Sequence, residues 1–151
     1  MEHLQCAIGS RISVLYRCGQ IFLGRELRSY SLGSGQYPFL LALYKNDGIS
    51  QEELSDYLKI DKATTAKAIK KLADEGFVTR RTDNRDKRAY KLCLTDKALL
   101  LKPAMHAVAS SWEQLLYTGL TAQERVQAEQ LLGKMSGNTA NVLRKEEIVC
   151  E

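Results

Sequence analysis

Apolar side chains recur at three- and four-residue steps from about residue 6 to residue 30, at Ile8, Ile12, Leu15, Phe22, Leu23 and Leu27. That period predicts an amphipathic helix, and Ser31-Leu32-Gly33-Ser34-Gly35 ends it. From about Gln36 to Lys45 the apolar residues Phe39, Leu40, Leu41 and Leu43 leave little polar face, so a buried helix is expected. Asn46-Asp47-Gly48 reads as a turn. In Ser50-Gln51-Glu52-Glu53 the serine hydroxyl and the glutamate three residues on can bond each other's backbone N–H. This capping box predicts a helix start. The helix is short, with Leu54, Tyr57 and Leu58 inward. Asp61 is placed to N-cap a further helix from Lys62 to about Glu75. Its inward stripe is Ala66, Ile69, Leu72 and Ala73, and Gly76 follows as its terminator.

After Gly76 the period falls to two. Residues 77–81 read as a strand, Thr82-Asp83-Asn84-Arg85-Asp86-Lys87 as a polar turn, and residues 88–94 as the returning strand. Thr95 caps the next helix, which runs to about Tyr117 and which Pro103 should bend or locally break. Thr121-Ala122-Gln123-Glu124 is a second capping box. It opens a last helix carrying Val126, Leu131, Leu132, Met135, Val142 and Leu143, weakened in its middle by Gly133 and Gly137. The expected fold is mainly α with a small β-hairpin wing: a winged helix-turn-helix lobe with long helices at both ends.

The chain has 151 residues, 44% hydrophobic and 26% charged, which fits one ordinary domain and no membrane span. Its net charge of +4 is unevenly spread. Residues 59–91 hold 11 basic and 5 acidic side chains, leaving 11 and 13 for the rest of the chain. A basic segment of this kind suits a polyanionic partner or, equally, a solvated basic surface. Cys6, Cys18, Cys93 and Cys150 are scattered without a Cys-x-x-Cys pair. Met1-Glu2-His3-Leu4 lacks the basic and apolar regions of a signal peptide. Reduced thiols and a cytoplasmic location are expected.

The side chains around the helix-turn-helix favour the polyanionic partner, the alternative being a hairpin that carries charge only to stay solvated. Lys62, Thr64, Lys67 and Lys71 lie off the apolar stripe, where lysines can meet phosphates or guanine edges and threonine a base or thymine methyl. Thr65 and Arg81 join them as candidate DNA contacts. At the hairpin tip Arg85, Lys87 and Arg88 can reach a narrow, electronegative minor groove, while Asp83 and Asp86 can brace neighbouring arginines.

From Gly48 to Thr95 the chain resembles the DNA-binding lobe of the MarR/SlyA family. The resemblance rests on Asp61-Lys62-Ala63-Thr64-Thr65-Ala66-Lys67, Glu75-Gly76-Phe77-Val78, the wing Asp83-Asn84-Arg85-Asp86-Lys87-Arg88 and Leu92-Cys93-Leu94-Thr95. The flanking long helices match in order and length. The resemblance implies one domain, with residues 1–34 and 96–151 as dimerisation helices and 35–95 as the DNA-binding lobe. It further implies an obligate homodimer on a pseudo-palindromic operator, acting as a ligand-relieved repressor. Recognition contacts carry over to Lys62, Thr64 and Lys67, and the minor-groove arginine to Arg85, with Arg88 and Asp86 beside it. Lys67 stands where many members have arginine, which removes a bidentate fork. Dimerisation has independent support, because a lobe of about 60 residues cannot easily cover long amphipathic helices at both ends. The alternative is that they fold back on it.

The resemblance also implies a cleft for a small aromatic or anionic effector, with Tyr16, Arg17, Tyr30 and Tyr37 as candidate lining. Those side chains can equally be packed aromatics or surface charge. Some relatives sense peroxide through an N-terminal-helix cysteine, but Cys18 falls about a turn late for that, and a buried, inert thiol fits it better. A dimeric adaptor without operator binding is a further alternative. Two distant histidines, His3 and His106, and the absence of hydrolase, phosphate-loop, dinucleotide or metal-ligand spacings point away from an enzyme. No cofactor or metal is expected.

Overall fold

A computed structural model of the protein describes residues 7–82 and 90–149. In order these form α1 (Ala7–Glu26), a 3-10 turn (Arg28–Tyr30), α2 (Tyr37–Lys45), β1 (Ile49–Ser50), α3 (Gln51–Leu58), α4 (Lys62–Asp74), β2 (Val78–Thr82), β3 (Tyr90–Leu94), α5 (Asp96–Leu116) and α6 (Ala122–Val149). The mainly helical winged fold expected from the sequence is thus present. The chain divides into two compact units, residues 1–112 and 113–151.

In the first unit α2 supplies the centre of the core. Pro38 sits in its first turn, where no intrahelical N–H bond is lost. Phe39, Leu40 and Leu43 are fully buried with Leu54 of α3, Ile69 and Leu72 of α4, Phe77, and Leu92 of β3. Two tyrosines tie α2 to α5. Tyr37 donates to the Met105 carbonyl (3.0 Å) and Tyr44 to that of Ala98 (2.7 Å). Burial pushes the Tyr44 hydroxyl up to about 12, so it remains a donor at any physiological pH.

Local chemistry explains the ends of α3 and α4. Ser50 and Glu53 complete the capping box (3.1 and 2.7 Å). Asp61 accepts from the Thr64 N–H at 2.8 Å. Gly76, at φ +76°, ends α4. Its N–H donates to Ala73 and that of Phe77 to Leu72, the paired bonds of a Schellman turn.

The wing is a three-stranded antiparallel sheet in the order β1-β3-β2. Val78 faces Leu94 and Thr82 faces Tyr90 across the hairpin, while Ile49 and Ser50 pair with Leu92 and Lys91. Strand β1 is an addition to the expected hairpin: two residues carry no period, and only their register against β3 makes them a strand.

Several other expectations change. Tyr57 is exposed rather than inward. On α4 the buried residues are Thr65, Ala68, Ile69 and Leu72, whereas Ala66 and Ala73 are half-buried. Pro103 does not break α5, which is continuous from Asp96 to Leu116. The apolar stripe of α1 is largely outside the core: Ile8, Ile12, Leu15 and Ile21 are exposed, Phe22 and Leu23 are half-buried, and Gly19 is the helix's buried position. A Cβ on Gly19 would lie 3.2 Å from the Trp112 ring, and Trp112 also stacks with Phe22 at a centroid distance of 5.4 Å. Glycine lets α1 approach α5 there.

The second unit contains the end of α5 and all of α6. The Thr121 box is made, with Thr121 N–H donating to Glu124 at 2.8 Å and Glu124 N–H to the threonine hydroxyl at 3.3 Å. Helix α6 continues through Gly133 and Gly137. Val126, Leu131, Leu132 and Val142 are exposed along it.

Candidate nucleic-acid interface

Helix α4 is short, capped at both ends and buried along one side. Its opposite side therefore stands at a fixed angle to the lobe. That outer side carries Thr64, Lys67 and Lys71, and Lys62 stands at the first position of the helix, toward α3; all four are exposed as expected. The Asp61 carboxyl is held below the usual carboxylate range by hydrogen bonds from Thr64, first from its backbone N–H and then from its side chain. The charged cap is therefore present throughout the neutral range.

Thr65 is a correction. It is fully buried, and its hydroxyl donates to the Asp61 carbonyl at 2.9 Å. It sits one residue past Thr64, so the helical turn carries it round to the core side, where it cannot meet DNA.

Lys62 is not a simple cation on this surface. Its ammonium lies 2.8 Å from a Glu52 carboxylate oxygen at the start of α3, both side chains being about three-quarters exposed (76% and 69%). The hydrogen bond and then the charge of Lys62 hold the Glu52 carboxyl below its ordinary range.

Two basic residues escape the sequence reading. Lys70 and Arg80 are exposed and line a groove of about 650 Å3 between α4 and β2, floored by Ala66, Ala73 and Val78. The Arg80 guanidinium donates to the Gln51 side chain at 3.4 Å. Lys70 lies three residues after Lys67, a spacing that could have placed it beside the chosen lysines. Arg81 is exposed on β2 and faces Lys91 across the ladder. Asp83, Arg85, Asp86, Lys87 and Arg88 of the hairpin tip lie outside the described residues.

The four candidate pocket residues are not brought together. Tyr30 lines a groove of about 620 Å3 with Ser31, Phe77, Lys97 and Leu101. Tyr37 is instead a core residue, its hydroxyl bound to Met105. Tyr16 is exposed on α1, and Arg17 donates to Ser13 one turn earlier at 2.6 Å. Neither lines the Tyr30 groove. Lys97 rims that groove, donating to the Glu75 carbonyl and standing 4.3 Å from the centre of the Phe77 ring. Cys18 is exposed, not buried as expected, because the inward position beside it on α1 is Gly19.

Among the described residues no three His, Cys, Asp or Glu side chains cluster as metal ligands, and no helix is long and apolar enough to cross a membrane.

Residues 30–89, from the 3-10 turn to the residue before β3, match the MarR family profile. The chain is similar over its length to solved structures of that family. A MarR transcriptional regulator from Methanosarcina mazei Go1 is 48% identical, with 89% of this chain and 97% of that one covered and a TM-score of 0.83. A putative MarR family transcriptional regulator from Listeria monocytogenes, solved in complex with 26mer DNA, is 28% identical, with 93% and 91% covered and a TM-score of 0.77. Bordetella bronchiseptica BpsR, whose DNA binding is regulated by 6-hydroxynicotinic acid, is 25% identical, with 90% and 97% covered and a TM-score of 0.80. With its capped recognition helix, basic outer face and three-stranded wing, this chain belongs to the MarR family of DNA-binding transcriptional regulators.

Proposed function

We propose that the protein is a cytoplasmic homodimeric repressor that binds a pseudo-palindromic operator and releases it on binding a small aromatic or anionic ligand. The observation that carries the DNA reading is the outer face of α4, where Lys62, Thr64, Lys67 and Lys71 are all exposed on a helix capped by Asp61. In this reading α4 enters the major groove and Arg85 the adjacent minor groove. Arg81, Lys87 and Arg88 meet the backbone, and Asp83 and Asp86 brace the tip. Binding is strongly salt-dependent, because lysine–phosphate contacts release counterions.

Homodimerisation is supported by the exposed apolar residues of α1 and, separately, of α6, stretches of a kind that monomers seldom leave to water. Residues 1–34 and 96–151 then supply the dimer helices and 35–95 the DNA-binding lobe. The effector seat is assigned to the Tyr30 groove, where apolar walls meet the Lys97 ammonium. The small-ligand regulation of BpsR supports that class of effector. No catalysis is assigned.

The test is a mobility shift on the DNA upstream of the protein's own gene. A shift that weakens with salt and is weakened by Arg85→Ala, with the dimer intact, is expected. No shift at low salt favours an adaptor role. Exposure of the Cys18 thiol favours a second reading, a redox-sensing regulator of the same fold. Unchanged operator binding after peroxide treatment rules it out.

A further inference from the structure

The Glu52–Lys62 pair sets Lys62 apart from the other lysines of α4. Lys67, Lys70 and Lys71 have no ion pair among the described residues, so each offers a full positive charge to a phosphate. Lys62, at the first position of the recognition helix, already has a carboxylate at 2.8 Å. That carboxylate is not needed to start α3. The capping box uses Ser50 and Glu53, and Glu52, between them, takes no part in it. Its side chain instead reaches α4, ten residues along the chain.

We propose that Glu52 is a specificity-determining residue, which holds Lys62 in a charge-compensated state so that the lysine reads base edges without adding to generic attraction for DNA. The inference rests on the DNA-binding reading of α4. A phosphate that approaches the ammonium must share it with Glu52 or displace it, and either way a carboxylate is left facing a polyanion. One cation is then exchanged between two anions, with little net gain. A guanine edge is different, because O6 and N7 are uncharged acceptors. Lys62 can donate to them while Glu52 stays beside it. An exposed pair of this kind is weak and screened by salt, so it biases the choice of acceptor without locking the lysine away.

The test uses the full chain, a random-sequence 26-base-pair duplex, and a duplex enriched from a random pool by the wild-type protein. Affinities are measured by fluorescence anisotropy over a salt series. Glu52→Gln keeps the side chain's size and leaves the capping box untouched. It is expected to tighten binding to the random duplex by roughly three- to tenfold at low salt, and to steepen the log–log salt slope by about 0.9 per lobe. The enriched duplex gains less, so the ratio between the two falls. In a Lys62→Met background the same substitution should no longer steepen the slope. An unchanged slope, or an increment that persists without Lys62, overturns the inference and reduces Glu52 to a surface charge. If the wild type enriches no duplex at all, the DNA reading fails and the inference with it.

Discussion

Helices α1 and α2 are both rich in large apolar residues, yet they have opposite fates. On α2, Phe39, Leu40 and Leu43 are fully buried, whereas on α1 Ile8, Ile12, Leu15 and Ile21 face water. Hydrophobicity alone therefore does not say where a residue ends up. The two helices differ in what surrounds them. Helix α2 packs against α3, α4 and β3, so burial on every side can be met within one chain. Helix α1 meets α5 at the Gly19–Trp112 contact, and most of its stripe is left exposed.

The sharpest way to break this comparison is to truncate one residue of each kind. Phe39→Ala should cost about 3–5 kcal/mol, because it removes buried area and leaves a cavity that close packing cannot refill. Chemical denaturation reads this directly, and a loss below about 1 kcal/mol would place α2 outside the core. Ile12→Glu should instead leave the unfolding of the lobe nearly unchanged while shifting the protein from dimer to monomer in sedimentation. An unaltered sedimentation coefficient would break the proposed role of α1.

A smaller effect separates the lobe's surface from its frame. Lys67→Ala should weaken DNA binding and reduce the salt slope by about 0.9 per lobe without moving the melting temperature. Thr65→Val, one turn position away but buried, should do the reverse. It leaves the salt slope alone and lowers stability by roughly 1 kcal/mol, since the hydroxyl bond to the Asp61 carbonyl is lost.

The smallest effect lies in pH. The folded Asp61 carboxyl sits below its ordinary value, so its contribution is complete above the unfolded value and is lost as pH falls through the folded one. The melting difference between wild type and Asp61→Ala should therefore be steady from neutrality to about pH 5 and shrink below about pH 4. A difference that stays constant down to about pH 2 would mean that the carboxylate charge does not contribute.

What was legible in the sequence follows the range of the interactions. Ser50, Asp61, Gly76 and Thr121 announce helix ends because each acts on a backbone group within a few residues. The basic face of α4 was legible for the same reason, helical spacing being local. Strand β1 was not, since it depends on Leu92 and Lys91 more than 40 positions away. The inward side of Thr65 is encoded by the same local spacing, four and seven residues before the buried Ile69 and Leu72, although its polar hydroxyl suggests an outward position. The Glu52–Lys62 contact needs the angle between α3 and α4, which no local pattern encodes. Pro103 was expected to interrupt α5, but one missing N–H in a 21-residue helix leaves the remaining bonds in place.

The two ends of α4 are held by different partners. At its start Asp61 takes the Thr64 N–H. At its exit Thr95 and Lys97 donate to the carbonyls of Gly76 and Glu75, and the Thr95 N–H donates to that of Phe77. None of these anchors is an outward-facing side chain of the helix itself. Lys67 and Lys71, two of the proposed DNA contacts, take no part in that mounting and can vary while it stays constant. In the proposed reading such a helix is an interchangeable reading head: new operators are acquired by substitutions at a few exposed positions, with no need to re-evolve the scaffold that aims them.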